Sequence, residues 1–489
     1  MARHVSIEPV SGKSLSDQIF ELGVEFPCGG GSGCGSCKVR VISGDVPVTA
    51  TMRAALSEVE IAQGWRLACE AASGAAVTIE VAQWTPRILT DDAAVEADPR
   101  PGLGIAVDLG TTTVVAQLVD LTSGEILGIQ AELNAQARHG ADLMSRVETA
   151  LRQPGLLTDL IRAQIARMAA ALAQGRHVEE VLICGNTVMH HLYGGLDVEP
   201  LAAVPFRTPH PQGFMLSGDE AGIDTSNVAF LPSIGGFAGS DLLCGIISTG
   251  LANLNEPAAI MDLGTNGEVA VCSPKGILCA STAAGPAFEA GGIRRGMRAG
   301  DGAIDHASVD GASIHCHVLG GGAAHGICGS GLVDTAAAAL DLGLIRPNGR
   351  FVSGSEIPLR DGVSLFQSDV RQLQLAKGAA AAALALLGGG GTRLFLAGAF
   401  GNYLREAGAR RIGLLPGNSQ VTPSGNTALR GVRHLLLQHK RRGGIVRAVL
   451  DRTTHVELAA DARFQDAFAG HMSLAPTSVP SPKVDQQAS

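Results

Sequence analysis

Aromatic side chains are scarce in this chain: 3% of 489 residues, with two Trp and two Tyr. Aliphatic and small side chains must therefore make most of the core, and 64 glycines point to many tight loops. Positive charge is also short. Lys and Arg number 37 against 46 Asp and Glu, a formal net charge of −9. That balance argues against general binding to nucleic acid or to an anionic membrane. Long apolar runs are missing. The nearest, Gly378 to Gly391, is Ala/Leu-rich and falls short of the roughly 18–20 residues of a membrane span. No basic-then-apolar leader opens the chain, because Met1 to Val10 reads as a short strand. A cytoplasmic location is expected, and with it free thiols rather than disulfides.

What is present is core-forming, with 46% hydrophobic and 17% charged residues and length for about two to four domains. The fold class expected is α/β. Residues 1–85 form one unit: a strand at His4–Val10, a helix at Ser14–Leu22 stopped by Gly23, and a strand at Lys38–Ile42. A capping-box start follows at Ser57 and Glu60, and a strand at Ala76–Val81. Residues 86–102 are acidic and Pro-containing without apolar period, and read as a linker. The remainder carries an internal duplication. Ile105-Ala-Val-Asp108-Leu-Gly110-Thr111-Thr112-Thr113 recurs as Ile260-Met-Asp262-Leu-Gly264-Thr265-Asn266-Gly267-Glu268, 154 residues on. Each copy reads strand, glycine turn, strand, then a second turn at Thr122–Gly124 or Ser273–Gly276. A strand-to-helix turn also recurs, at Gly185-Asn186 and at Gly398-Ala399-Phe400-Gly401. Two related lobes follow, 103–255 and 256–470, with a disordered tail at 471–489.

Cys28, Cys34 and Cys37 lie on one glycine-rich loop, and Cys69 follows 32 positions later. This is close to the C-x4-C-x2-C…C spacing of plant-type 2Fe–2S ferredoxins. Three thiolates from a loop and one from elsewhere can surround two irons. Glycines 29, 30, 31, 33 and 35 let the backbone curl and aim N–H groups at sulfur. A structural zinc site or unliganded thiols are the plainer alternatives, but zinc knuckles usually pair two CxxC or CxxH elements and only one is here. The x5 spacing and the Arg66-Leu-Ala-Cys69 context resemble the adrenodoxin-like ferredoxins, which implies a β-grasp domain.

Two Asp-Leu-Gly-Thr turns can wrap the β- and γ-phosphates of ATP with amides and hydroxyls. Asp108 and Asp262 can hold hydrated Mg²⁺, which needs few carboxylates. The pattern is that of the superfamily of acetate and sugar kinases, Hsp70 and actin, whose lobes are ribonuclease-H-like. The resemblance places Asp108, Gly110, Thr111, Thr112 and Thr113 in the first phosphate loop. It places Asp262, Gly264, Thr265, Asn266, Gly267 and Glu268 in the second. The adenosine end resembles Gly398, Ala399, Phe400 and Gly401 with Gly329, Ser330 and Gly331. Glu268 is a candidate to position or deprotonate the attacking water; a solvated strand carboxylate is the alternative. Asp241 is a second metal-side candidate. Asn186 either faces the γ-phosphate or caps a helix.

The whole chain, from about residue 4 to 470, resembles the ATP-dependent reductive activators of corrinoid proteins. GIAVDLGTTTVVAQL, LNAQARHGADLMSR, ICGNTVMHHL, LPSIGGFAGSD, STAAGPAFEAGGIR and LAGAFGNYL are among the segments that carry it. The resemblance implies reduction of Co(II) to Co(I) in a corrinoid protein of a methyltransferase system, driven by ATP. It implies an upstream electron donor, either a reductase or a ferredoxin, and leaves a homodimer open. No extra C-terminal cysteine cluster is present, so no 4Fe–4S domain is expected. The alternatives are a small-molecule kinase with a redox-sensing ferredoxin domain, an ATP-gated binding module, and an electron activator of another low-potential enzyme. Cys272, Cys279, Cys316 and Cys328, with His315 and His317, read as core packing rather than a second metal site. His190 and His191 read as supports of the site, and Lys377 as a snorkelling surface lysine or one reaching the nucleotide.

Overall fold

A computed structural model of the chain describes residues 3–22, 24, 26, 37–81, 91, 93, 95–140, 142–264 and 266–476. Its contacts gather into two units. One comprises Met1–Arg87, Gln136–Arg146 and Gly285–Leu373; the other comprises Ile88–Ala135, Val147–Ala284 and Gln374–Ser489. No helix among the described residues is long and apolar enough to cross a membrane.

The N-terminal part of the first unit holds β1 (Arg3–Ile7), α1 (Leu15–Glu21), β2 (Lys38–Ser43), α2 (Ala50–Ala55), α3 (Glu58–Ala62), β3 (Trp65–Leu67) and β4 (Val77–Val81). Each helix begins at a hydroxyl residue. Ser14 and Ser57 each accept an N–H three residues on, from Asp17 and Glu60, whose carboxylates take the cap's own N–H in return. The strands form an antiparallel sheet in the order β1-β4-β2-β3. Ile19, Met52, Leu67 and Ile79 are wholly buried against it. This is the ferredoxin-like module expected of the N-terminus.

The chain continues with β5 (Leu103–Leu109), β6 (Thr113–Asp120), β7 (Ile126–Leu133), α4 (Leu143–Arg152), α5 (Leu156–Ala173) and β8 (Val178–Gly185). Next come α6 (Thr187–Gly194), β9 (Phe214–Leu216), α7 (Gly218–Ala221), β10 (Thr225–Phe230) and α8 (Ser240–Ser248). The first-lobe sheet runs β7-β6-β5-β8-β10-β9. β5, β6 and β7 are antiparallel neighbours, while β8 and β10 are parallel additions.

The second lobe repeats the plan. It opens with β11 (Ala258–Leu263), β12 (Gly267–Ser273) and β13 (Gly276–Thr282). Gly285–Leu373, which belongs to the other unit, follows with β14 (Ala303–Asp310), β15 (Ser313–Val318), β16 (Gly326–Ile327), α9 (Gly329–Asp341), β17 (Glu356–Arg360) and β18 (Val363–Phe366). This β-rich segment lies within the span 256–470 and is grouped with the other unit. After α10 (Gln367–Leu386) come β19 (Arg393–Ala397), α11 (Gly398–Tyr403), α12 (Glu406–Arg411) and β20 (Gln420–Gly425). The chain closes with α13 (Thr427–Leu437), α14 (Arg442–Leu450), β21 (Thr453–His455) and α15 (Ala462–His471). The second sheet is β20-β19-β11-β12-β13-β21. Read in reverse, β13-β12-β11-β19-β20 matches β7-β6-β5-β8-β10 in order and in parallel or antiparallel sense. The duplication read in the sequence is therefore a duplication of topology.

Helices α8 and α13 lie side by side and share one core with both sheets. Leu242, Ile246, Leu429, Val432 and Leu436 pack with Val115, Leu182, Ile260 and Ala270. A Cβ at Gly431 would stand 2.3 Å from the Cys244 carbonyl oxygen, so a larger residue there would separate the two helices. The C-terminal end differs from the tail expected from residue 471. Leu474 is fully buried, and the Lys377 ammonium donates to the carbonyls of His471 (2.5 Å) and Ser473 (2.6 Å). Lys377 is itself wholly buried, and loss of hydration lowers its pKa to about 8. It is neither a snorkelling lysine nor free to reach a nucleotide. Residues 477–489 lie outside the described part.

Candidate functional site

The first Asp-Gly turn joins β5 to β6. The Gly110 N–H donates to the Thr113 carbonyl at 3.0 Å, and a Cβ on Gly110 would meet that oxygen at 2.6 Å. Buried Asn134 braces the turn. Its Nδ2 donates to the Gly110 carbonyl (2.8 Å), and its own N–H donates to the Thr112 carbonyl (2.9 Å). Asn186 does two things. Its Oδ1 accepts the Met189 N–H and so caps α6, while its Nδ2 donates to Thr111 Oγ1 at 2.9 Å. The capping alternative read from the sequence is thus present, and the same side chain also touches the first turn through Thr111.

The second turn joins β11 to β12. The Gly264 N–H donates to the Asn266 carbonyl at 3.0 Å. Thr265 lies outside the described residues. Gly267 pairs across to Thr282, whose hydroxyl donates to the Gly267 carbonyl at 3.2 Å. Glu268 stands directly opposite Asp262 and accepts from Ser281 Oγ at 3.3 Å. Glu268 is buried, so the solvated-carboxylate alternative is set aside. From the neighbouring strand-to-helix turn, Gly398 with φ +82° comes so near that a Cβ would lie 2.5 Å from Asp262 Oδ1.

Four carboxylates stand on the elements around these turns: Asp108 near the end of β5, Asp262 near the end of β11, Glu268 at the start of β12 and Asp241 in the first turn of α8. Burial pushes Asp108 up to about 6, while a hydrogen bond from Asn426 Nδ2 (2.9 Å) pulls it down. Burial raises Asp241 to about 7, with Asp108 and Asp262 adding to the rise. Burial raises Glu268 well above the usual carboxylate range, with Asp241 and Asp262 contributing. Burial dominates each rise, and the neighbouring carboxylates add to it at Asp241 and Glu268, an excess of negative charge that a cation or a proton donor would relieve. Among the described residues no three His, Cys, Asp or Glu are placed to grip one metal ion directly.

The residues expected at the adenosine end divide. Gly398, Ala399, Phe400 and Gly401 open α11 in the unit that carries both phosphate turns. Gly329, Ser330 and Gly331 open α9 in the other unit. There, Ser330 Oγ donates to the Asp305 carbonyl at 3.0 Å, and a Cβ on Gly331 would meet the Ile304 carbonyl at 2.0 Å. Close packing of α9 on β14 explains that glycine without a ligand. His190 and His191 sit buried on α6, bonded to the carbonyls of Gln212 and Thr187. Two residues are new to the site, Asn426 and Asn134. Asn426 precedes an apolar helical period and could be read as a cap, but no spacing discloses a partner 318 residues away.

In the ferredoxin-like module, Cys37 precedes β2 and Cys69 lies in the turn Ala68–Glu70 after β3. Their Sγ atoms approach to 3.2 Å without a disulfide, and the Ala68 N–H donates to the Cys37 carbonyl at 2.7 Å. Two thiols from separate elements facing one point suit an iron–sulfur cluster. Ser16 Oγ donates to the Cys69 carbonyl at 3.4 Å, from the first turn of α1. Cys28 and Cys34 lie outside the described residues. Cys272, Cys279, Cys316 and Cys328 are buried thiols, and burial raises the pKa of each.

Three family models match the chain. A family model described as a 2Fe-2S iron-sulfur cluster binding domain matches residues 2–73. One described as the RACo middle region matches 103–254, and one described as the C-terminal domain of RACo, the ASKHA domain, matches 256–485. The chain is 33% identical over 416 residues to the corrinoid activation enzyme RamQ of Eubacterium limosum, covering 76% of this chain and 70% of that one. It is 27% identical over 436 residues to the [Co(II) methylated amine-specific corrinoid protein] reductase of Methanosarcina barkeri, covering 78% and 79%. A solved structure, the reductive activator for corrinoid,iron-sulfur protein, matches with a TM-score of 0.67 and 24% identity over 96% of this chain and 97% of that one. This last likeness speaks for the fold.

Proposed function

The chain belongs to the family of ATP-dependent reductive activators of corrinoid proteins, and from that premise we propose how its residues perform the activation. The substrate is a corrinoid protein whose cobalt has been oxidised from Co(I) to Co(II). One electron passes to Co(II) and restores Co(I) for a cobalamin-dependent methyltransferase. The cluster, held by Cys28, Cys34, Cys37 and Cys69, supplies a one-electron carrier when bound. The donor upstream is a reductase or a ferredoxin, and the setting is cytoplasmic.

The step is uphill, and about 60 mV of opposing potential for one electron corresponds to roughly 1.4 kcal/mol. ATP makes up the difference. The observation that supports this reading is the pair of glycine turns that follow Asp108 and Asp262, with Glu268 directly opposite Asp262. Asp108 and Asp262 would hold a hydrated Mg²⁺ ion through its waters, with Asp241 as a further carboxylate on the metal side. The amides and hydroxyls of residues 110–113 and 264–267 hold the phosphates. Glu268, protonated more readily than an ordinary carboxylate, is suited to take the proton of an attacking water. Gly398, Ala399, Phe400 and Gly401 bound the nucleoside side.

The test follows the absorption spectrum of a Co(II) corrinoid protein mixed with reconstituted protein, a reductant and Mg-ATP. Reduction that requires ATP is expected. Equal reduction without nucleotide would remove the ATP requirement from this reading. Cys69→Ser should abolish reduction and leave ATP binding intact.

A further inference from the structure

Helix α13 meets the phosphate site at one end and the segment leading to the ferredoxin-like module along its length. At its N-cap, Asn426 Oδ1 accepts the Leu429 N–H, while Nδ2 donates to Asp108 Oδ2, both at 2.9 Å. Four residues on, Arg430 Nε donates to Asp91 Oδ2 at 2.9 Å, and its other arm donates to the Ser424 carbonyl. Seven residues on, Arg433 reaches the Asp91 carboxylate, the carbonyls of Asp91 and Ala93, and Gln117 Oε1. Positions i, i+4 and i+7 share one helix face. Arg433 is buried, as are Asp91 and Gln117, and Gln117 Nε2 donates to the Asp91 carbonyl at 2.6 Å. Near the far end, Gln438 Nε2 donates to the Glu96 carbonyl (2.8 Å), and the Asp98 N–H donates to the Leu437 carbonyl (2.9 Å). The acidic stretch that reads as a linker is held to this helix at Asp91, Ala93, Glu96 and Asp98.

We propose that Asn426 is a positioning residue for Asp108 and that α13 couples the nucleotide site to the tether at residues 91–98. The proposal rests on Asp108 as a residue of the nucleotide–metal site. A carboxylate that turns toward a cation or phosphate must carry the Asn426 amide with it or release it. Asn426 caps a helix packed tightly against α8 through Gly431, so the helix responds as a body. Arg430 and Arg433 then move against Asp91. Coupling of this kind is reciprocal: the tether must alter nucleotide affinity by the factor with which nucleotide alters the tether.

The experiment is hydrogen exchange of the peptide covering residues 91–100 in the full-length protein, with and without a saturating non-hydrolysable ATP analogue and Mg²⁺. Binding is followed by calorimetry on the same samples. A change in exchange of about fivefold or more is expected in the wild type. Asn426→Ser keeps a good N-cap but loses the amide donor; it should bind the analogue and lose most of that change. Asp91→Asn should shift analogue affinity by a similar factor, and Gln438→Ala, a milder release of the tether, should shift it in the same direction. Unchanged exchange in a wild type that binds the analogue overturns the coupling alone. A full response in Asn426→Ser overturns the role of that residue. A wild type that binds no nucleotide overturns both this proposal and the ATP reading beneath it.

Discussion

The two glycine turns begin from the same words and end differently. Aligned on the aspartates, the sequence sets Glu268 against Val114. The strand register sets it against Val115, because Asp108 pairs with Val115 while Asp262 pairs with Glu268. The second turn is one residue shorter. Gly110 bonds to the carbonyl three residues on and Gly264 to the carbonyl two residues on. Where the first lobe buries an apolar valine opposite its aspartate, the second places a carboxylate opposite a carboxylate. Like charges directly across an antiparallel pair destabilise a sheet, and both residues of this pair are at least partly buried. A cost of that kind at one copy of a repeat, and not the other, is what the proposed catalytic role of Glu268 would require. On this view the first turn holds and the second reacts.

The strongest way to break the comparison is at Glu268. Glu268→Gln keeps the shape and the Ser281 contact but removes the base. ATP hydrolysis should fall about 10²–10⁴-fold, with nucleotide binding retained. Its counterpart Val115→Ala should cost about 1–3 kcal/mol of stability through lost packing and spare hydrolysis. Phosphate release and thermal melts of the two variants decide the matter. If Glu268→Gln hydrolyses as well as Val115→Ala does, the carboxylate pair is structural.

Much of this was legible in the sequence because it rests on local rules. Ser57 and Glu60 announced their capping box, and the repeated Asp-Leu-Gly turns announced two sheets of one topology. Cys37 and Cys69 announced a shared centre, and their sulfurs do meet. Polar contacts between distant segments were not legible. Asp91 in an acidic, aperiodic stretch gives no sign that Arg430 and Arg433 close on it, and Lys377 in an Ala-rich helix gives none that it is buried beneath the C-terminal carbonyls. Hydrophobic period reports which face of an element is covered, not which chain covers it. The duplication offset alone does not mark which contacts the segment 285–373 makes, so its grouping with the other unit was not legible.

A smaller effect should appear in pH dependence. Asp108 and Asp241 have folded values of about 6 and about 7 against an ordinary 3.8. The folded state therefore holds more protons than the unfolded state between those limits. Stability contributed by these groups is complete below about pH 4 and is lost as pH rises through 6 and 7, with each pH unit worth at most about 1.4 kcal/mol per group. Melting temperature of the nucleotide-free protein in chelator should decline across that window. Asp241→Asn, which cannot titrate, should flatten the decline. An identical slope in wild type and variant would show that Asp241 does not feel the excess of negative charge on which the contrast between the turns depends.

The smallest effect tests the holding role of the first turn. Asn134 is fully buried and ties the Gly110 carbonyl to the strand end beyond β7. Asn134→Ala leaves that carbonyl without the bond, at about 1–3 kcal/mol. A turn whose amides are less well fixed should bind nucleotide about tenfold more weakly, since 1.4 kcal/mol is a factor of ten. It should still hydrolyse what it binds, because Glu268 and Ser281 stand on the other lobe's strands. Titration of a nucleotide analogue gives the affinity, and hydrolysis at saturating ATP gives the turnover. A lower affinity with turnover preserved supports the division between a turn that holds and a turn that reacts. Turnover lost as deeply as in Glu268→Gln would mean that the two turns work as one catalytic element, and that the extra residue in the first is no more than a difference in how the strands are joined.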